Sequence, residues 1–163
     1  MALTTFSGPV KSNNGFITGG AGSSVAITAD TSLTVAAHAG RTLLVSDADC
    51  VITLPSIENV GTRATNMLGT QFNIYIALAA TSLTIVTDGT DKYRGRITVA
   101  VGAAATAKDF FPADANDIIT LNGTTKGGLV GTYLRITAIA DNTYLVEATV
   151  NGSGAPATPF SGS

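Results

Sequence analysis

The stretch TYLRITAIADNTYLVEAT, residues 132–149, decides the fold class of this chain. Two runs rich in β-branched, aromatic and aliphatic residues flank Asp141 and Asn142, and both runs have the composition of β-strands. Asp and Asn tolerate the backbone conformations of tight turns, so the stretch predicts a β-hairpin. In this hairpin, residues 136–140 are expected to pair with residues 143–147.

Eight further segments share this composition and are bounded by Gly, Asn, Asp or Pro, as short strands usually are. They are residues 24–28, 32–36, 42–46, 51–54, 71–77, 82–87, 96–101 and 117–121. Short strands at intervals of about 8 to 12 residues predict an all-β fold, a single antiparallel sandwich or barrel. Only residues 55–67 carry helix start signals, and Gly61 weakens them, so at most one short helix is expected.

No linker divides the chain, so residues 21–152 are expected to form one domain, followed by a C-terminal tail at residues 153–163. Two phrases recur in the sequence. TSLTV at residues 31–35 returns as TSLTI at residues 81–85, and DCVITL returns as NDIITL. Because the two spacings differ, these recurrences do not predict a solenoid.

The first twenty residues, MALTTFSGPVKSNNGFITGG, fit no regular element, because their apolar residues follow neither helical nor strand periodicity. They lack the early positive cluster and unbroken apolar run of a secretory signal, and their aromatic residues are unusual for a disordered tail. We therefore expect residues 1–20 to form an extended arm that contacts a neighbouring subunit or a larger partner. The expected contact residues of the arm are Phe6, Pro9, Val10, Lys11 and Phe16.

Charged residues are scarce, since Asp, Glu, Lys and Arg make up 12% of the chain and the formal net charge is -2. A typical soluble domain contains about 25% charged residues. The charge balance gives no basic field for nucleic acid, and no apolar run approaches the length of a membrane span, so neither partner is expected. Covering a surface of small, weakly polar groups with protein costs little desolvation free energy. This composition therefore favours an assembled protein over a lone monomer.

A search for catalytic chemistry finds little. His38 and Cys50 are the single residues of their types, so an ordinary zinc site is excluded, and no G-x-S-x-G motif supplies a serine nucleophile. The carboxylate pairs in SDADC and TDGTD match no calcium loop and are better explained as turn residues. We therefore expect no enzyme activity, no cofactor and no bound metal, with a hydrolase acting through His38 or a carboxylate pair as the remaining alternative.

Lys92, Arg94 and Arg96 occupy alternate positions in DKYRGRITV, and on a strand they would project from one face as a basic ridge. One interpretation is that this ridge meets an acidic surface on a larger partner. The other is that the strand lies at a sheet edge, where charge discourages unwanted pairing.

Several phrases together resemble the head decoration proteins of tailed bacteriophages. The phrases are TTFSGPVKSNNGFITG, AGRTLLVSDADCVITLPS, GTQFNIYI, GTYLRITAIADNTYLVEATV and ATPFS. The resemblance implies a non-enzymatic virion protein, often trimeric, that is assembled in the host cytoplasm. It would bind the major capsid protein on the outer surface of an icosahedral capsid and stabilise the shell. Phage head fibre and tail or receptor-binding modules share some of this phrasing and form the alternative.

Overall fold

A computed structural model describes residues 23–57 and 67–163 of the chain. In these residues there are twelve β-strands and very little helix. The strands are β1 (Ser24–Ile27), β2 (Thr31–Ser32), β3 (Thr42–Val45), β4 (Val51–Thr53), β5 (Gln71–Ile76), β6 (Leu83–Val86), β7 (Lys92–Val101), β8 (Thr106–Phe110), β9 (Ile118–Leu121), β10 (Tyr133–Ala140), β11 (Thr143–Asn151) and β12 (Phe160–Ser161). The helical pieces are one α-helical turn, α1 (Val35–His38), and one 3-10 turn, Gly102–Ala104. The all-β prediction is therefore confirmed.

The described strands form two sheets that share one apolar core, as in a sandwich. The large sheet has seven strands in the order β1-β3-β5-β10-β11-β7-β8, and the small sheet has five in the order β12-β9-β6-β4-β2.

From β1 to β6 the chain alternates between the sheets, so β1, β3 and β5 are parallel neighbours in the large sheet, and β2, β4 and β6 are parallel neighbours in the small one. Between two successive strands of one sheet, the chain runs back through a strand of the other sheet. Successive strands of the same sheet therefore point in the same direction. Both sheets are mixed for this reason, whereas the sequence led us to expect antiparallel pairing throughout. The first six strands wind like the coils of a solenoid although no sequence period marks them.

The core is one cluster of side chains contributed by the facing sides of both sheets. In β5 the residues Phe72, Ile74 and Ile76 are buried and alternate with partly or fully exposed residues, as the sequence pattern predicts. Tyr93 and Tyr144 are fully buried, and each hydroxyl donates a hydrogen bond to a backbone carbonyl. These two rings therefore add apolar area to the core without burying an unsatisfied hydroxyl.

The hairpin of β10 and β11 has the predicted position and pairing. Ile136 lies opposite Val146, and Ala138 lies opposite Tyr144. Asn142 closes the turn with a φ of 53°, in the left-handed region that Asn adopts more readily than most residues. The hairpin turn predicted at Asp141 and Asn142 is therefore confirmed.

The helical turn α1 lies where the sequence predicted a strand over residues 32–36. The Thr34 hydroxyl caps this turn by accepting a hydrogen bond from the N–H of Ala37. The strand prediction was wrong here because an N-cap followed by alanines favours helix locally more than one valine favours strand. The helix expected over residues 55–67 falls largely outside the described residues.

Strands β1, β3, β5, β7 and β11 all run in one direction. We call the end of the sandwich where they begin the lower end and the end where they finish the upper end. The lower end carries α1, the turn at residues 88–91 and the hairpin turn at residues 141–142. The upper end carries the loops at residues 46–50, 77–82 and 122–132. Among the described strands, β1 and β8 are the two edges of the large sheet.

Residues 153–163, expected as a tail, lie against the domain. β12 pairs with β9, and the ring of Phe160 lies 6.4 Å from the ring of Tyr93, measured between centroids. The extended arm expected at residues 1–20 lies outside the described residues.

Candidate interaction surface

The outer face of the large sheet carries the residues that the sequence singled out as a basic ridge. β10, β11 and β7 lie side by side at its centre, and most of their inward side chains are buried. The outward side chains border a shallow groove of about 450 Å³. The side chains that line this groove are Arg96, Thr98, Tyr133, Leu145, Glu147 and Thr149.

Gly95 explains the Arg-Gly-Arg sequence at this face. Its φ is 104°, and a Cβ at this position would collide with the carbonyl oxygen of Val146. Only glycine therefore permits the close approach of β7 to β11 here. Arg94 and Arg96 flank this glycine and both project outward.

The basic ridge has the predicted geometry, but its charges are paired within the chain. Each of the three cations forms an ion pair with a carboxylate on a neighbouring segment. These pairs are Lys92–Asp117 at 2.7 Å, Arg94–Asp114 at 3.1 Å and Arg96–Asp109 at 3.5 Å. In the described residues β8 pairs only with residues 97–101 of β7, so over residues 92–96 the one paired strand of the large sheet is β11, and the sheet-edge interpretation of the ridge is consistent with the structure. Local pairing of its charges weakens the argument that it attracts an acidic partner.

The Lys92–Asp117 pair is a structural contact at the lower end of the sandwich. The Asp117 side chain is only 2% exposed, and its carboxylate also accepts hydrogen bonds from the N–H and the hydroxyl of Ser163, both at 2.9 Å. The hydrogen bond from Lys92 is the main reason why the pKa of Asp117 lies below its usual range. This carboxylate therefore joins β7, β9 and the C-terminal residue.

At the centre of the outer face, the polar side chains satisfy one another. The guanidinium of Arg135 donates a hydrogen bond to the Glu147 carboxylate at 2.6 Å, and this bond raises the pKa of Arg135. Arg96 lies opposite Glu147 on the other side, in the register of β7 and β11. The Tyr133 hydroxyl donates to the side-chain oxygen of Asn73 at 2.9 Å. Such a self-paired face suits contact with a protein surface better than capture of a small charged ligand.

Several large apolar side chains are exposed at the two ends of the sandwich. At the upper end, Leu78 and Val130 lie on neighbouring loops that are joined by backbone hydrogen bonds on both sides of the two residues. At the lower end, Leu68 and Ile139 flank the contact between the Gly69 N–H and the carbonyl of Ala138. Phe111, directly after β8, is 68% exposed. Apolar area is therefore exposed at both ends of the sandwich and beside β8.

The two residues that could have supported nucleophilic chemistry are held in local contacts. The Nδ1 atom of His38 accepts a hydrogen bond at 2.9 Å from the N–H of Thr34, the N-cap residue of α1, and in the described residues no Ser or Asp side chain forms a hydrogen bond with this ring. Cys50 is 2% exposed, and burial is the main cause that raises the pKa of its thiol to about 11. A thiol with these properties is a poor nucleophile.

The carboxylate pairs do act largely as turn residues, as the sequence suggests. Asp88 accepts hydrogen bonds from the N–H groups of Thr90 and Asp91, both at 2.9 Å. Asp47 accepts the N–H of Asp49 at 3.2 Å. In the part of the chain that the structure describes, no three His, Cys, Asp or Glu residues are grouped so that they could hold a metal ion.

Asp91 differs from the turn carboxylates Asp47, Asp49 and Asp88 because it is fully buried. Its Oδ2 atom accepts the N–H of Ile57 at 2.8 Å, and its Oδ1 atom has no hydrogen-bond partner among the described residues. Burial is the main cause that raises the pKa of Asp91, and the neighbouring charge of Asp88 adds to it. The side chain anchors residues 55–57 to the start of β7.

The structure therefore places some of the predicted contact residues and does not describe the others. Lys92, Arg94 and Arg96 share the outer face, whereas the predicted contacts of the arm lie outside the described residues. Those contacts are Phe6, Pro9, Val10, Lys11 and Phe16. The sequence reading missed the groove beside the ridge, although the alternation in TYLRITAI already placed Tyr133 and Arg135 on one outward face.

Comparison with known proteins found no matching family model, no matching curated protein and no matching solved structure. Across the residues that the structure describes, none of the helices has the length and apolar character needed to cross a membrane.

Proposed function

We propose that this chain is a bacteriophage head decoration protein, a structural subunit that binds the outside of an assembled capsid as a homo-oligomer and strengthens it. The observation that carries the proposal is the outer face of the large sheet, whose ridge cations and central Arg135 are all paired with carboxylates of the same chain. A protein partner can cover such a face without separating a charge from its counter-charge.

The exposed apolar residues at both ends support the same proposal. Leu78 and Val130 at the upper end, and Leu68 and Ile139 at the lower end, are each close to half exposed. Contact with a capsid or a sister subunit would remove this apolar area from water, which contributes about 25 cal/mol for each Å² covered.

The local contacts of His38, Cys50 and the turn carboxylates support a non-enzymatic role. In the described residues most hydrogen bonds of His38, Asp47 and Asp88 go to nearby backbone groups, and Cys50 is buried. The proposal therefore assigns binding, and no reaction, to this chain.

A capsid-binding experiment tests the proposal. Purified protein is added to expanded phage capsids that lack a decoration protein, and bound protein is counted after sedimentation of the capsids. We expect saturable binding at a fixed number of copies per capsid, and reduced occupancy for a variant that lacks residues 1–17. Absence of saturable binding by the full chain would contradict the decoration role, and undiminished occupancy of the shortened chain would contradict the role of the arm.

The groove on the outer face is the observation that favours the second candidate, a head fibre or receptor-binding module. Its lining places the Tyr133 ring and the charged ends of Arg96 and Glu147 around one concave surface. Adsorption of the purified protein to host cells, with no binding to capsids, would favour this candidate over the decoration role.

A further inference from the structure

Strand β8 lies at an edge of the large sheet and extends beyond the small sheet. Thr106, Ala107, Lys108 and Asp109 are all exposed, so neither face of the strand is covered over most of its length. The position of Lys108 shows this directly, because it lies opposite the fully buried Val99 and therefore on the inward side of the sheet. An exposed sheet edge is a surface to which another strand can add.

Strand β1 forms the opposite edge of the same sheet and has no charged residue. In the described residues β1 pairs with β3 alone, and β8 pairs with β7 alone. β1 runs in the same direction as β7, whereas β8 runs in the opposite direction. If one copy is rotated about an axis parallel to the strands, its β1 comes beside β8 of the first copy in the antiparallel sense.

Pairing of β8 with β8 of a second copy is less favourable. A two-fold axis perpendicular to the sheet relates such strands, and the register that aligns the whole of β8 places Lys108 opposite Lys108. Like charges directly opposite each other on adjacent strands are destabilising. Pairing of β8 with the uncharged β1 has no such repulsion.

We propose that β8 of one copy adds to β1 of the next copy, so that the large sheets of several copies join into a closed ring. This inference names the subunit contact of the oligomer in the proposed function and rests on that proposal for its biological role. Inward side chains must meet inward side chains, so outward Ala26 lies opposite outward Ala107 or, in the register shifted by two residues, opposite Asp109. In the shifted register Phe111 lies opposite Ser24, at the lower end of the neighbouring β1, and is shielded from water.

Paired cysteine variants test this contact with a short bifunctional maleimide. The variants are Ala26→Cys alone, Ala107→Cys alone, both together, and Ala26→Cys combined with Asp109→Cys for the shifted register. We expect the double variant of the correct register to give a ladder of covalent oligomers that ends at the ring size. An equimolar mixture of the Ala26→Cys chain and the partner single variant of that register should give covalent dimers only. Ala26→Cys combined with Ser82→Cys serves as the matched control, because Ser82 is exposed at the upper end and away from β8.

Three outcomes would overturn the inference. Crosslinking of Ala107→Cys alone would show the two-fold pairing of β8, and crosslinking of neither register would show that β1 and β8 do not meet. Crosslinking that increases when residues 1–17 are removed would show that this segment, and not a second copy, occupies the edge.

Light scattering of the free chain and the capsid-binding assay separate this inference from the proposed function. A monomer that still saturates capsids would overturn the ring and leave the decoration role in place. A crosslinked ring that does not bind capsids would support the subunit contact and contradict the decoration role.

Discussion

Among single residues, Asp91 carries the least satisfied charge in the described core, because one of its oxygens is buried without a partner. We expect Asp91→Asn to raise the free energy of unfolding at pH 7 by about 1 kcal/mol, because the neutral amide retains the acceptor for the Ile57 N–H and removes a buried charge. The pKa of Asp91 is raised in the folded state, so its favourable contribution is fully present below the unfolded pKa and is lost as pH rises through the folded pKa. The advantage of the variant should therefore shrink as the pH is lowered from 7 towards 4.

Urea unfolding of the two proteins at both pH values measures this change. A variant that is much less stable than the parent at pH 7 would show that the carboxylate has a counter-charge or donor that the described contacts do not include.

The contribution of Asp117 to stability is expected to depend on pH in the opposite sense to that of Asp91. Its pKa is lowered, chiefly by the hydrogen bond from Lys92, so its contribution to stability is present above the unfolded pKa and is lost as pH falls through the folded pKa. We expect Asp117→Asn to reduce the free energy of unfolding by about 2 kcal/mol at pH 7, the usual size for a buried hydrogen bond to a charged group. Denaturant titrations from pH 7 down to pH 2 should show the difference decreasing with acidity. A difference that is constant across this range would assign the loss to packing.

At the scale of elements, the hairpin turn depends on a residue that tolerates positive φ. We expect Asn142→Val to destabilise the protein by about 1 to 2 kcal/mol, because a β-branched residue is strained in the left-handed conformation, whereas Asn142→Gly should be close to neutral. Thermal unfolding of the two variants provides the comparison. Equal effects of valine and glycine would mean that the turn does not hold this conformation in solution.

Phe160 in β12 and Phe111 directly after β8 form a matched pair of phenylalanines, one buried and one exposed. Phe160 is 5% exposed and lies beside Tyr93, whereas Phe111 is 68% exposed. We expect Phe160→Ala to lower the free energy of unfolding by about 3 kcal/mol, because it leaves a cavity between the sheets. Phe111→Ala should have little effect on the unfolding of the monomer, and it should weaken the subunit contact inferred for β8. Chemical denaturation measures the first effect and light scattering the second, and a small loss for Phe160→Ala would mean that β12 is not docked.

Local chemistry explains which elements could be read from the sequence. The β10–β11 hairpin was readable because Asp141 and Asn142 interrupt two strongly β-forming runs. β8 was missed because TAKDF alternates no apolar residues, and a strand exposed on both faces has no hydrophobic period to detect. The parallel pairing among the first six strands could not be predicted from the sequence either. Which strands become sheet neighbours depends on how the two sheets pack around the core, and here strands that are adjacent in sequence lie in different sheets.

At the scale of the whole molecule, the same limit applies to the candidate surface. Alternation placed the three ridge cations on one face correctly, since that depends on β7 alone. Their carboxylate partners come from β8 and from the segment between β8 and β9, so the neutralisation of the ridge required the tertiary fold. A face that looked basic in the sequence therefore carries little net field.

This neutralisation leads to a prediction about salt. Exposed ion pairs within one chain are screened together, so they neither attract nor repel a partner strongly, and binding should depend mainly on apolar area. We expect capsid occupancy and ring formation to change little between about 0.05 M and about 0.5 M NaCl, a range over which long-range charge attraction is largely screened. Arg94→Ala, which removes an exposed cation of the ridge, should likewise leave occupancy unchanged. Sedimentation of capsids with bound protein across this salt series measures the dependence. A steep loss of binding with salt, together with weaker binding of Arg94→Ala, would restore the ridge as an electrostatic docking site for an acidic partner surface.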